Sequence, residues 1–250
     1  MPQVTPLRQQ RTNCSDCRLA TLCLPENLDD VAVNDLDGII KRPRPLDRGA
    51  PLFHSGGDFR AIYAIRTGAV KTSRLLPNGD EFVSGFYLPG EVIGLDAINY
   101  NNHPTTAVAL ETTSVCEVPF SDLEKLSLNR PALQRHMMRI MSRELATEQT
   151  LNQVLVHRSA EQRLAVVLVS LSDRFGNRGL SPKRFRLPMS RHELGNYLGL
   201  APETMSRIFR RLEKQELVCT DGRDITLLNQ TELRLLAHGE SEVPLRSGRA

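Results

Sequence analysis

From Arg130 to Val156 the chain runs without a glycine, and its one proline, Pro131, stands at the start. Apolar residues return through this stretch at helical spacing, which predicts one helix of ~25 residues, or ~37 Å at 1.5 Å per residue. Such a rod joins two modules. It carries two apolar stripes. Leu133, Met137, Ile140, Leu151 and Val154 form a face expected to pack on the preceding module. Met138, Met141, Leu145, Glu148, Asn152 and Leu155 recur at spacings of 3, 4, 3, 4 and 3, the pattern of a coiled-coil seam. A Met-rich helix face is also what ordinary core looks like. A second apolar face is hard to bury within one small domain, so a homodimer is expected. Glu148 would then meet its own copy, and two desolvated carboxylates repel unless one takes up a proton. The predicted dimer is marginal, as a switch requires, unless Glu148 is simply a solvated charge.

The fold class expected is α+β, and 250 residues suffice for two modest domains. Between Leu46 and Glu117 short apolar runs are broken by glycines, Ala61, Tyr63 and Ile65 alternate, and Pro77-Asn78-Gly79-Asp80 is a turn signal. This predicts a small antiparallel β-roll or jelly roll. His103, in NNHP, is expected to be solvated. No apolar run approaches the ~18 residues of a membrane span, and MPQVTPLRQQ has no features of an export signal, so a cytoplasmic protein with no membrane partner is expected.

The net charge is only +3, yet its distribution is uneven. Leu75 to Glu124 holds no Lys or Arg, whereas Arg174, Arg178, Lys183, Arg184, Arg186, Arg191, Arg207, Arg210 and Arg211 crowd the later half, which should face something anionic. That half contains SRHELGNYLGLAPETMSRIFRRLEKQELV. Ser190 with Glu193 is a capping box and opens a helix over Arg191 to Leu198, which Gly199 ends. Pro202 suits a first helical position, predicting a second helix over Pro202 to Lys214. Met205, Ile208, Phe209 and Leu212 form its buried stripe, leaving Glu203, Ser206, Arg207, Arg210 and Arg211 outside. LVCTDGRDITLL then reads as a hairpin turning at Asp221-Gly222. Helix, turn, helix and wing make a unit for double-stranded DNA, with Arg207 suited to guanine and Glu203 to cytosine.

Cys14, Cys17 and Cys23 stand as C-x2-C-x5-C, with Cys116 and Cys219 far downstream. In a reducing compartment such a cluster points to metal binding or catalysis rather than a disulfide framework. Structural zinc usually adds a second close Cys or His pair, which is absent, and no βαβ pattern supports a thioredoxin-type motif. Three clustered thiols with a distant fourth suit iron-sulfur ligation. Spacing alone leaves iron-sulfur, zinc and neither open. A redox enzyme or electron carrier is disfavoured, because no nucleotide fingerprint or catalytic dyad accompanies the cysteines.

C-x2-C-x5-C-x-P, the cysteine of ETTSVCEVPF, the helix QRHMMRIMSREL and ETMSR within LGNYLGLAPETMSRIF together resemble the FNR-type bacterial transcription regulators of the cyclic-AMP-receptor superfamily. The resemblance spans about Cys14 to Leu236. It implies a regulator rather than an enzyme, organised as a cluster-binding segment (1–30), a β-roll (31–129), a dimerisation helix (130–157), a winged helix-turn-helix domain (158–239) and a disordered tail (240–250). It implies that Cys14, Cys17, Cys23 and Cys116 hold a 4Fe-4S cluster that favours the DNA-binding dimer, and that oxygen converts it to a 2Fe-2S form. It also implies reading of a palindromic TTGAT-type site by Glu203, Ser206 and Arg207, and an RNA polymerase contact around Gly79. A superfamily regulator using zinc, haem or no cofactor is the nearest alternative. Gly90-Glu91 is kept from the cyclic-nucleotide members, but no cation follows it as far as Glu124, so no cyclic nucleotide is expected. Cys219 has no counterpart and is expected to be a buried wing thiol. Arg18 departs from the small polar residues common in the family. A cation beside an anionic cluster should favour its more reduced states.

Overall fold

The computed structural model describes residues 13–23 and 29–239; the expected tail at 240–250 lies outside them. Two short helices come first, α1 (Ala20–Cys23) and α2 (Asp30–Ile39), the second capped by the Asp29 carboxylate, which accepts from the Ala32 amide at 2.7 Å. Seven strands follow: β1 (Pro51–Phe53), β2 (Ala61–Thr67), β3 (Val70–Leu75), β4 (Glu81–Tyr87), β5 (Val92–Ile93), β6 (Thr106–Ala109) and β7 (Ser114–Pro119). They form two antiparallel sheets, β1-β6-β3-β4 and β5-β2-β7. Helices α3 (Phe120–Leu128) and α4 (Pro131–His157) close this half.

The two-residue period of β2 assigns its two faces. Ile65 points into the roll with Phe53, Val70, Ile93 and Ala107, while Ile62 points outward and packs with Val118 against Leu36, Leu123 and Leu133 of the helices. His103 corrects the expectation of a solvated loop: it is 2% exposed, stacked on the Phe53 ring at 3.7 Å and edge-on to Phe59. Backbone bonds between His103 and both Gly56 and Gly57 pull its loop inward, and burial lowers the pKa of the imidazole.

The second half comprises α5 (Ala160–Gly176), β8 (Arg184–Arg186), α6 (Arg191–Leu198), α7 (Pro202–Lys214), β9 (Val218–Asp221), β10 (Asp224–Leu227) and α8 (Gln230–His238). Capping boxes at Ser159/Gln162 and Ser190/Glu193 start α5 and α6, and left-handed Gly199 ends α6. Gly195 is required by proximity: a Cβ there would lie 2.8 Å from the Leu200 carbonyl and 3.0 Å from Met205 Cγ. In the wing, Val218 faces the core, which turns Cys219 outward; the thiol is exposed rather than buried.

The halves are not independent beads on a helix. Val83, Phe86 and Leu88 of the roll share one apolar core with Leu168, Leu194 and Phe209. The Asn196 amide accepts from the Val83 N–H at 2.7 Å and donates to the Glu81 carbonyl at 2.5 Å, satisfying backbone groups of β4. Lys71 lies 3.0 Å from both Glu81 and Glu193. Glu91 is gripped by Arg174 of α5 at 2.5 Å and by Arg178, just past the end of that helix, at 2.7 Å. These two arginines, assigned by their charge to an external anion, therefore serve an internal one.

Candidate cysteine site and DNA-facing helix

Successive turns curl residues 14–23, with the Cys17 amide donating to the Cys14 carbonyl at 3.3 Å and the Cys23 amide to Leu19 at 3.0 Å. This brings Cys14, Cys17 and Cys23 to one cavity of about 80 Å³. Cys116 reaches the same cavity from β7, where it shares the outward face with Val118. Gly90, with φ of 89°, makes room for the segment: a Cβ there would lie 2.9 Å from Leu22 Cβ. The remaining walls are largely apolar, including Ile40, Ile62, Leu123 and, from α4, Leu133, Met137 and Ile140.

All four thiols are free. Burial pushes Cys14 up to about 12, helped by its bond to Asp37, and burial likewise pushes Cys23 to about 12 and raises Cys116. Ligation must therefore release protons. Among the described residues no three Cys, His, Asp or Glu side chains converge tightly enough to hold a single metal ion.

Three polar neighbours carry no signal in the sequence. His136, on the first turns of α4, has its Nε2 at 3.1 Å from the Cys23 carbonyl oxygen and lines the cavity. Asp37 accepts from the Cys14 amide at 2.8 Å and pairs with Arg42, whose guanidinium lies 3.8 Å from Cys14 Sγ. The Nε of Arg42 is buried and has no hydrogen-bond partner. None of these positions belongs to a motif; only the fold brings them to the thiols. Arg18, in contrast, is exposed, whereas the Arg42 guanidinium is a cation at Cys14 itself.

Along α4, Met138 and Leu145 are 58% and 62% exposed, Met141 and Leu155 are half-buried, and Glu148 and Asn152 lie on the surface. Glu148 also rims a crevice of its own chain, shared with Glu144 and Tyr87. On α7, Glu203, Ser206, Arg207 and Arg210 are exposed, while Met205, Ile208, Phe209 and Leu212 are buried. Arg211 departs from its expected outward position: it pairs at 2.6 Å with Glu161, a buried residue of α5. Arg191 stacks on Phe209 at 4.5 Å and braces α7. Gly79, with φ of 86°, sits at the exposed tip of the β3–β4 hairpin.

Residues 43–130 match the cyclic nucleotide-binding domain and residues 162–236 the Crp-like helix-turn-helix domain. Over 232 residues the chain is 47% identical to the transcriptional activator protein Anr of Pseudomonas protegens, covering 93% of this chain and 95% of that one. The chain belongs to the FNR-type regulators of the CRP/FNR family. The fumarate and nitrate reduction regulatory protein of Escherichia coli is another such relative, 43% identical over 225 residues and 90% of each chain. FixK2 from Bradyrhizobium japonicum has a similar structure, with a TM-score of 0.73 and 29% identity over 79% of this chain and 97% of that one. This FNR-type protein is thus a DNA-binding transcription regulator and not an enzyme. No helix among its described residues is long and apolar enough to cross a membrane.

Proposed function

We propose that this chain is a cytoplasmic oxygen-responsive regulator whose Cys14, Cys17, Cys23 and Cys116 hold a 4Fe-4S cluster, and that the occupied site favours a homodimer reading a palindromic TTGAT-type site. The observation that carries this reading is the meeting of four thiols from separate parts of the chain on one cavity walled by the start of α4. Four thiols on one cavity match the four thiolates that a 4Fe-4S cluster takes. The donor set fits, and the Arg42 guanidinium 3.8 Å from Cys14 Sγ suits an anionic occupant. When bound, a 4Fe-4S cluster supplies a centre that oxygen converts to a 2Fe-2S form.

The protein's own residues carry the consequence. The thiols give up protons and bind. His136 ties the Cys23 backbone to α4, and Leu133, Met137 and Ile140 couple the cavity wall to the same helix. A small rotation of α4 there changes how Met138, Met141, Leu145, Glu148, Asn152 and Leu155 meet a second copy. Dimerisation sets two α7 helices one helical turn of DNA apart, with Glu203, Ser206 and Arg207 at base edges. The hairpin tip at Gly79, flanked by exposed Leu75, Leu76 and Phe82, is assigned to RNA polymerase. A cyclic nucleotide is not assigned, because Glu91 is already held by Arg174 and Arg178.

The test is the visible spectrum, iron and acid-labile sulfide of protein purified without oxygen, before and after air. A brown protein with about equal iron and sulfide that changes within minutes of air is expected. A colourless protein carrying zinc, or no metal, would remove oxygen sensing and leave DNA binding in place.

A further inference from the structure

We infer that Arg42, held by Asp37, is the charge-compensating and positioning residue of the cysteine site, setting how electron-rich a bound cluster can be. The inference rests on the cluster reading above. Three observations carry it. The Arg42 guanidinium lies 3.8 Å from Cys14 Sγ. Its Nε–H is a buried donor with no hydrogen-bond partner, an arrangement that costs free energy unless an acceptor meets it. The same guanidinium nitrogen is held by Asp37, whose carboxylate also receives the Cys14 amide at 2.8 Å, so one carboxylate aligns both the ligand's backbone and the cation.

Net charge and hydrogen bonds to sulfur are the protein's levers on iron-sulfur potentials. The pair at Asp37 and Arg42 places one charge of each sign at the same thiol. Removing the cation should disfavour the more anionic, reduced cluster, and removing the anion should favour it. Opposite shifts separate this role from a structural one, since loosening the cysteine segment by either change would move both variants the same way.

The experiment is a reductive titration of the anaerobically reconstituted full-length protein and its Arg42→Gln, Arg42→Lys and Asp37→Asn variants, with hydrogen exchange of the Cys14 amide in the apoproteins. The midpoint potential of Arg42→Gln should move negative, that of Asp37→Asn positive, and Arg42→Lys should stay nearer the parent. Asn can still accept from Cys14, so its amide should remain protected. Shifts of the same sign, or none, in variants that carry full iron and sulfide would overturn the inference alone. A parent that takes up no iron and sulfide would overturn the cluster reading and this inference together.

Discussion

At Gly90 one missing side chain decides whether the cysteine segment can lie down. The backbone there has φ of 89°, and a Cβ would press on Leu22 at 2.9 Å, so both conformation and contact resist any other residue. Gly90→Ala should cost roughly 1–3 kcal/mol in urea unfolding and speed amide exchange across residues 17–23. Unchanged exchange there would mean the segment docks independently of Gly90. Single-residue environments were the least legible part of the sequence. His103 and Cys219 were each assigned the wrong exposure, because burial depends on which neighbours the fold supplies. Arg18 adjoins Cys17 in the chain, yet the guanidinium at Cys14 comes from Arg42, 28 positions away. Chain adjacency says little about where a charge lands once the backbone turns.

Elements were read more faithfully, because caps and periodicity are local physics. Helices α6 and α7 begin and end where Ser190, Gly199 and Pro202 predict, and α4 runs the length its glycine-free stretch implies. The contacts between elements were not local and went unseen, foremost Glu91 between Arg174 and Arg178. All three are less than a third exposed, so Glu91→Gln, which leaves two arginines without their anion, should cost about 2–4 kcal/mol in urea unfolding. A loss below ~0.5 kcal/mol would make the clamp a surface pair of little weight. The crevice between α4 and the roll adds a pH effect. Burial pushes Glu144 up to about 7, with Glu91 and Glu148 adding to it and Arg174 and Arg143 opposing it; Tyr87 and Tyr197 face the same carboxylates. The native state thus holds a proton that the unfolded chain has released. Stability from this group is present below the ordinary Glu range and lost as pH rises toward 7 and past it. Glu144→Gln should flatten that decline and stabilise the protein at pH 8 by roughly 1–2 kcal/mol, a figure reduced for partial solvation. A variant with the parental pH profile would place the titration elsewhere.

The whole molecule leaves Met138 and Leu145 standing in solvent on a 27-residue helix, although the other stripe of that helix is used: Leu133 and Val154 are buried. One chain cannot cover both faces of a helix that crosses its surface, and a second copy can. The seam's period suggested this from sequence, but not that Glu148 would share a crevice with Glu144 and Tyr87 of its own chain. Burial raises the Glu148 carboxyl pKa already in a single chain. In the proposed dimer it loses more water and meets its copy, so repulsion and desolvation both oppose assembly, while Met138, Met141, Leu145 and Leu155 favour it. A balance of this kind responds to couplings of ~1–3 kcal/mol, the range one occupied site can supply through α4. Two substitutions test the balance from opposite sides. Leu145→Arg removes apolar area and adds a charge, so sedimentation should find monomer even without oxygen, with DNA affinity down at least tenfold. Glu148→Ala removes the opposition, so dimer and DNA binding should persist in air after the visible absorption is lost. If Glu148→Ala remains monomeric in air while Leu145→Arg behaves as expected, the seam is right but the carboxylate belongs to the intrachain crevice, and the cost that keeps the dimer marginal lies elsewhere on α4.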